Sequence, residues 1–156
     1  MKYNLAQVNI GRIVGPMDSP VMAEFKANLD PINKLAEESP GFVWRLKDET
    51  NNATSIKVFD DELMIVNLSI WKDAASLFEF VYKSGHVDYF KRRKEWFERM
   101  TELYLAMWFV PEGEFPTAQQ AIHRLDYLRR NGESPYAFTF RSKYTAADAE
   151  AYAPVV

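Results

Sequence analysis

Leu63 to Trp71 divides cleanly by parity, and that division limits the fold more than any other stretch. Met64, Val66, Leu68 and Ile70 fall on one side of an extended chain, and Ile65, Asn67, Ser69 and Trp71 fall on the other. Such a strand belongs in a sheet with one dry face and one mixed face. Tyr3 to Ile10 repeats the pattern, with Ala6, Val8 and Ile10 against Leu5, Gln7 and Asn9. Phe42 to Leu46 reads as a short strand with Phe42, Trp44 and Leu46 opposite Val43 and Arg45, and Leu103 to Val110 as a fourth.

Helical spacing fills the gaps. Ser19-Pro20 reads as an N-cap followed by Pro at the first helical position. Met22, Phe25, Leu29, Ile32 and Ala36 keep helical spacing to about Glu38, so Pro31 predicts a kink near Asp30 rather than an end. Lys47 to Glu62 reads as an irregular loop with a short extended piece at Ser55–Phe59. A second helix, about Asp73 to Tyr82, turns Leu77, Phe78 and Val81 inward, and Lys83-Ser84-Gly85 breaks it. A third runs from about Val87 to Met100. Thr117 with Gln120 forms a capping box for a helix to Asn131 that buries Ala118, Ala121, Ile122, Leu125 and Leu128, and Gly132 stops it. Tyr136 to Arg141 alternates as an edge strand, and the Ala-rich tail, residues 145–156, reads as frayed.

The order βαββα, followed by a helix and strand, matches a split βαβ, ferredoxin-like unit of the α+β class, with a C-terminal extension over residues 111–144. Residues 1–144 read as one domain, in keeping with a chain of 156 residues. Helices on one side would leave the face bearing Asn67, Ser69 and Trp71 bare, which predicts a homodimer that buries it.

Aromatic residues make up 15% of the chain, with four Trp, eight Tyr and eleven Phe, which suggests a lined cavity or an apolar interface. The net charge of −3 provides no field for nucleic acid or an anionic membrane. The chain has no cysteine, hence no disulfide and no thiolate metal site. The opening MKYNLAQVNI lacks an apolar run of signal length and no stretch approaches 18 apolar residues. The expectation is a cytoplasmic protein.

Groups able to do chemistry concentrate in Ser84 to Met100. On a helical wheel His86, Tyr89, Phe90, Arg93, Trp96, Phe97 and Met100 share a face, and His86, Tyr89, Arg93 and Trp96 fit a sector about 80° wide. Lys91 and Lys94 point away and Arg92 sits at the border. A cation among aromatics needs a partner. Arg93 therefore either pairs with an acid such as Asp18 or Glu24, or holds an anionic ligand. His86, at a helix start, suits an acid–base role or an axial ligand position. Asn9, Asn67 and Ser69 need partners if they face inward. Trp44, Trp71 and Trp108 offer flat walls. His123 falls on the polar face of its helix. No ligand spacing for a metal, phosphate-cradling glycine loop or nucleophile elbow is present.

Three segments carry a family resemblance: LDPINKLAEESPGFVWRL around Pro31 to Leu46, SGHVDYFKRRKEWF at Ser84 to Phe97, and MWFVPEGEFPTAQQAIHRLDYLRRNGESPYAFTF at Met107 to Phe140. Together they resemble an uncharacterised family placed with the dimeric alpha-beta barrels, beside the antibiotic-biosynthesis monooxygenases. Glu114 stands where that family's proline-turn segment has a basic or His residue. The resemblance implies a ferredoxin-like dimeric alpha-beta barrel and no assigned activity. The wider superfamily includes cofactor-independent oxygenases and haem-degrading enzymes.

Residues and resemblance together lead to one expectation and an alternative. The first is a monooxygenase-like enzyme for a small aromatic or polyketide-like molecule, using neither metal nor cofactor. His86 and Arg93 would be catalytic, and Asn9, Trp44, Asn67, Trp71, Tyr89, Trp96 and Trp108 would bind substrate. The alternative is a non-catalytic protein binding a small molecule, or haem through His86, in the same cavity.

Overall fold

The structure is a computed structural model and describes residues 2–47 and 59–155. β1 (Tyr3–Arg12) leads through a 3₁₀ turn at Pro20–Met22 into α1 (Ala23–Ala27) and α2 (Leu29–Glu37). β2 (Phe42–Arg45) and β3 (Met64–Trp71) follow, then α3 (Ala74–Lys83), α4 (His86–Lys91) and α5 (Arg93–Trp96). β4 (Leu105–Pro111), α6 (Ala118–Asn131) and α7 (Ala146–Ala151) complete the order. The four strands form an antiparallel sheet in the order β2-β3-β1-β4, the ferredoxin-like arrangement in which β1 and β3 are central.

The parity of β1 and β3 sorts the two faces as expected. Ala6, Val8 and Ile10 pair across to Ile70, Leu68 and Val66, and this face meets Ala121, Leu125 and Leu128 of α6. The helix is built for that job. Thr117 and Gln120 close a full capping box, and Gly132 ends the helix with φ at +79°, a conformation that disfavours any side chain.

The other face, bearing Leu5, Gln7, Asn9, Ser69 and Trp71, lies under α1 to α5. A homodimer was expected because this face would be bare. Helices α1 to α5 cover it within the chain, with Asn67 left exposed, and α6 covers the opposite face.

Pro31 sits in the first turn of α2, where its missing N–H interrupts no helical bond. α1 and α2 meet at Asn28, which keeps helical dihedrals, so the chain kinks there instead of forming an extended loop. The expected helix Val87–Met100 breaks at Arg92 and ends at Trp96. Phe97 adopts extended dihedrals and bridges Ile13, drawing the chain toward the end of β1. On α3 the inward residues are Leu77 and Phe80, and Phe78 is exposed.

The expected strand at Tyr136–Arg141 reduces to isolated bridges, Phe138 with Met107 on the outer edge of β4 and Ala137 with Ser134. The tail is not frayed. Thr145 and Asp148 cap α7, and the Tyr127 hydroxyl holds both the Tyr152 hydroxyl and the Val155 amide. The extended piece expected at Ser55–Phe59 lies, except for Phe59, outside the described residues. Among the described residues, no helix is long and apolar enough to cross a membrane.

Candidate functional site

Between the mixed sheet face and the helices α1 to α5 lies a cavity of about 240 Å³. Its floor follows directly from strand register. Gln7 stands opposite Ser69, and Asn9 opposite Asn67, so two alternating strands bring four polar side chains together. Gln7 Nε2 donates to Asn67 Oδ1 and to Ser69 Oγ, at 2.7 Å each. Asn9 Nδ2 donates to Gln7 Oε1 at 3.1 Å and Asn67 Oδ1 at 3.2 Å. Trp71 Nε1 donates to Ser69 Oγ at 2.9 Å. With the amides so oriented, the Asn67 Nδ2 donors and the Asn9 Oδ1 acceptor make no hydrogen bond among the described residues. They are free for a ligand.

The roof is aromatic and aliphatic, with Phe25 from α1, Ile32 and Ala36 from α2, and Leu77 and Phe80 from α3. Phe25, Ile32 and Ala36 are inward positions of the spacing that runs from Met22 to Ala36, and Leu77 is an expected inward position of its own helix; Phe80 is not among the residues expected inward.

His86 is the first residue of α4, directly after the Ser84-Gly85 break. Ser84 Oγ donates to the Phe80 carbonyl and accepts from the His86 N–H at 3.1 Å, which fixes the turn. The imidazole Nδ1 lies 3.3 Å from the Val81 carbonyl oxygen. A carbonyl can only accept, so Nδ1 carries the proton and Nε2 keeps a lone pair. The ring packs on Phe80 at 4.8 Å. Burial pushes its pKa below the ordinary histidine value, outweighing the Val81 carbonyl. The result is a neutral base held in a known tautomer.

Arg93 is the first residue of α5. Its guanidinium lies over the rings of Phe97, at 4.6 Å, and Tyr104, at 4.4 Å. Among the described residues its one hydrogen bond is a long one, from Nη2 to the Ile10 carbonyl at 3.5 Å. The acids expected to neutralise it are engaged elsewhere. Asp18 pairs with Lys26, and Glu24 with Arg92 at 2.6 Å. Arg92 also grips Glu95 and lies over Trp96, so the border residue of the wheel is the ion-paired one. Among the described residues, Arg93 meets no carboxylate within ion-pair distance, and burial lowers its pKa. Gly11 makes room for this arrangement. A Cβ there would come within 2.5 Å of the Phe97 ring, which backs the guanidinium.

Of the residues singled out from sequence, Asn9, Asn67, Trp71, His86, Arg93 and Trp96 line this one cavity. Tyr89 lies on α4, and its side chain is outside the described residues. Trp44 and Trp108 do not belong to the site. Trp44 pairs with Ile70 and Trp108 with Ala6, so parity puts both on the α6 side. There Trp44 stacks on Phe115 at 5.3 Å, and Trp108 is buried. Gln7, Phe80, Arg45 and Tyr104 are lining residues that sequence reasoning left off the site. Gln7 shares the parity of Asn9 and was legible. Arg45 is buried through a bulge in β2 and pairs with Glu37 at 3.7 Å.

No Asp or Glu lines the cavity among the described residues, and the only titratable base is His86. Nor do the described residues hold a cluster of three His, Cys, Asp or Glu suited to a metal ion. The cavity of about 240 Å³ lies below the roughly 300–1,000 Å³ usual for drug-sized ligands, and His86 is, among the described residues, the one lining histidine suited to a haem iron.

A family model described as a domain of unknown function, DUF3291, matches residues 4–154. No curated protein matches the chain. Among solved structures, a mutant of SnoaB, a cofactor-independent oxygenase from Streptomyces nogalater, is similar. It is 15% identical, with a TM-score of 0.45, over 72% of this chain and 95% of that one.

Proposed function

The chain belongs to the DUF3291 family, and from its cavity we propose that it binds and oxygenates a small aromatic or polyketide-like molecule, using neither metal nor organic cofactor. One observation carries this reading: a neutral imidazole and a cation that meets no carboxylate among the described residues share an aromatic-walled cavity that no described Asp or Glu lines. Nε2 of His86 takes a proton from an acidic C–H of the bound molecule. Arg93 answers the negative charge that develops on the neighbouring enolate or phenolate oxygen. The Asn67 and Asn9 side chains hydrogen-bond the polar edge and set its orientation. The carbanion then reduces dioxygen. A methylene group plus O₂ yields a carbonyl group plus water, which closes the balance without another reductant. The volume of about 240 Å³ suits a molecule of one or two rings.

Oxygen uptake with a panel of one- and two-ring hydroxyaromatic compounds tests the proposal. At least one compound should be consumed, and His86→Ala should slow that reaction by about 10²–10⁴-fold, the usual worth of a positioned base. Compounds that bind in calorimetry yet produce no uptake would leave a non-catalytic binding protein.

A further inference from the structure

The dry face of the sheet carries a second recess, remote from His86 and Arg93. The end of β4, the turn at residues 111–116 and α6 enclose a cleft of about 500 Å³. Arg124 lines it, four residues along α6 from Gln120. Its guanidinium lies against the Tyr136 ring at 3.6 Å and over Trp108 at 5.8 Å. Nη1 donates to the Tyr136 carbonyl at 3.0 Å. Nε and Nη2 make no hydrogen bond among the described residues, and no carboxylate lies within ion-pair distance. Burial lowers the pKa of this group, so its charge is held at a cost.

A fastener between α6 and the 132–140 segment would need only the contact with Tyr136. What remains is an edge of the guanidinium plane, Nε with Nη2, whose two parallel N–H groups match both oxygens of a carboxylate. The stacked ring and the carbonyl bond hold that edge in one orientation, so little freedom is lost on binding. Phe115, Pro111 and Pro116 supply apolar wall beside it. The amide oxygen of Gln120 is taken by the Thr117 N–H at 2.9 Å, which leaves its NH₂ as a donor. Among the described residues Glu114 is the one acid lining the cleft, and it is exposed. It disfavours a second negative charge and so selects against phosphate esters and dicarboxylates.

We propose that this cleft is a second ligand site, selective for a small aromatic monocarboxylate, with Arg124 gripping the carboxylate and the Phe115–Tyr136 region taking the ring. The site is independent of the chemistry assigned to the cavity on the other face.

Calorimetric titration of the purified protein with phenylacetate tests it, with phenyl phosphate and methyl phenylacetate as controls. Phenylacetate should bind, and neither control should. Arg124→Lys keeps the charge and loses the fork, and should weaken phenylacetate by about tenfold or more, the worth of a charge-assisted hydrogen bond. Arg93→Gln should leave the affinity unchanged. Glu114→Gln, at an exposed position, should tighten phenylacetate and admit phenyl phosphate. Absence of phenylacetate binding at millimolar concentration overturns the proposal. So does equal affinity in Arg124→Lys, or loss of affinity in Arg93→Gln, which would move the carboxylate to the other cavity. If Arg124→Lys fails to fold, Glu114→Gln decides, and unchanged affinity there overturns it.

Discussion

On the α6 side of the sheet, Val8, Leu68 and Ile70 meet Leu125 and Leu128 in one buried apolar cluster. One residue along the same strands, Gln7, Ser69 and Trp71 form a hydrogen-bonded floor under a cavity. The roofs account for the difference. A single capped helix of 14 residues packs one apolar stripe on the centre of the dry face. Five shorter helices cover the wet face, with interruptions at Asn28, Ser84-Gly85 and Arg92. His86 and Arg93 each begin a helix just after one of those interruptions. Breaks in the roof therefore do two things: they prevent close packing on the floor, and they bring His86 and Arg93 to the cavity.

The largest effect expected from this contrast is on the dry face. Leu125→Ala removes a fully buried side chain and should cost about 2–5 kcal/mol in urea unfolding, while the folded fraction binds cavity ligands normally. A loss well below that range would mean that α6 is loosely packed and the contrast between faces is overstated.

Ser69→Ala acts on the wet floor. It strands the Trp71 N–H and one Gln7 N–H, and should cost about 1–3 kcal/mol by denaturant titration. A cost near zero would show that water replaces the hydroxyl, making the floor wetter than the hydrogen bonds imply.

Arg93→Ala should cost about 1 kcal/mol or less, since two ring contacts and one long hydrogen bond are lost. Ligand binding in the cavity should fall in the same variant. A buried pair broken on one side usually costs about 3–5 kcal/mol, and a loss of that size would reveal an acid partner and end the anion-holding role.

The smallest effect is a pH slope. His86 has its pKa lowered in the folded state, so below the ordinary value of about 6.5 the unfolded chain binds a proton that the folded one refuses. Stability should then fall as pH drops from about 6.5 toward the folded pKa. His86→Asn should flatten that part of the profile, and a profile identical to the parent would show an ordinary, solvated histidine.

Much of this contrast was legible from local pattern. Parity in β1 and β3 separated Val8, Leu68 and Ile70 from Gln7, Asn67 and Trp71 because side chains alternate strictly along a strand. The capping box of Thr117 and Gln120 and the stop at Gly132 were legible because each acts within one turn. The wheel over Ser84 to Met100 put His86, Arg93 and Trp96 on one side, and the cavity receives all three. Its continuity was wrong at Arg92, where Phe97 leaves to bridge Ile13, a contact across the fold that no local spacing encodes. Trp44 and Trp108 were misassigned for a related reason: parity says which residues share a face, and only strand pairing says which face each strand presents.

By itself the sequence determined the ferredoxin-like order of elements, the division of the central strands into apolar and mixed faces, and the clustering of His86 and Arg93. These follow from periods of 2 and 3.6 residues and from capping chemistry, all short-range. Tertiary structure decided which face α6 covers, that Glu24 goes to Arg92 and leaves Arg93 with aromatic rings, and that Arg124 stands over a second cleft. Those outcomes depend on which distant segments meet once the apolar stripe of α6 has chosen its side. A side chain's charge can be read from the chain, but its partner is settled only by packing.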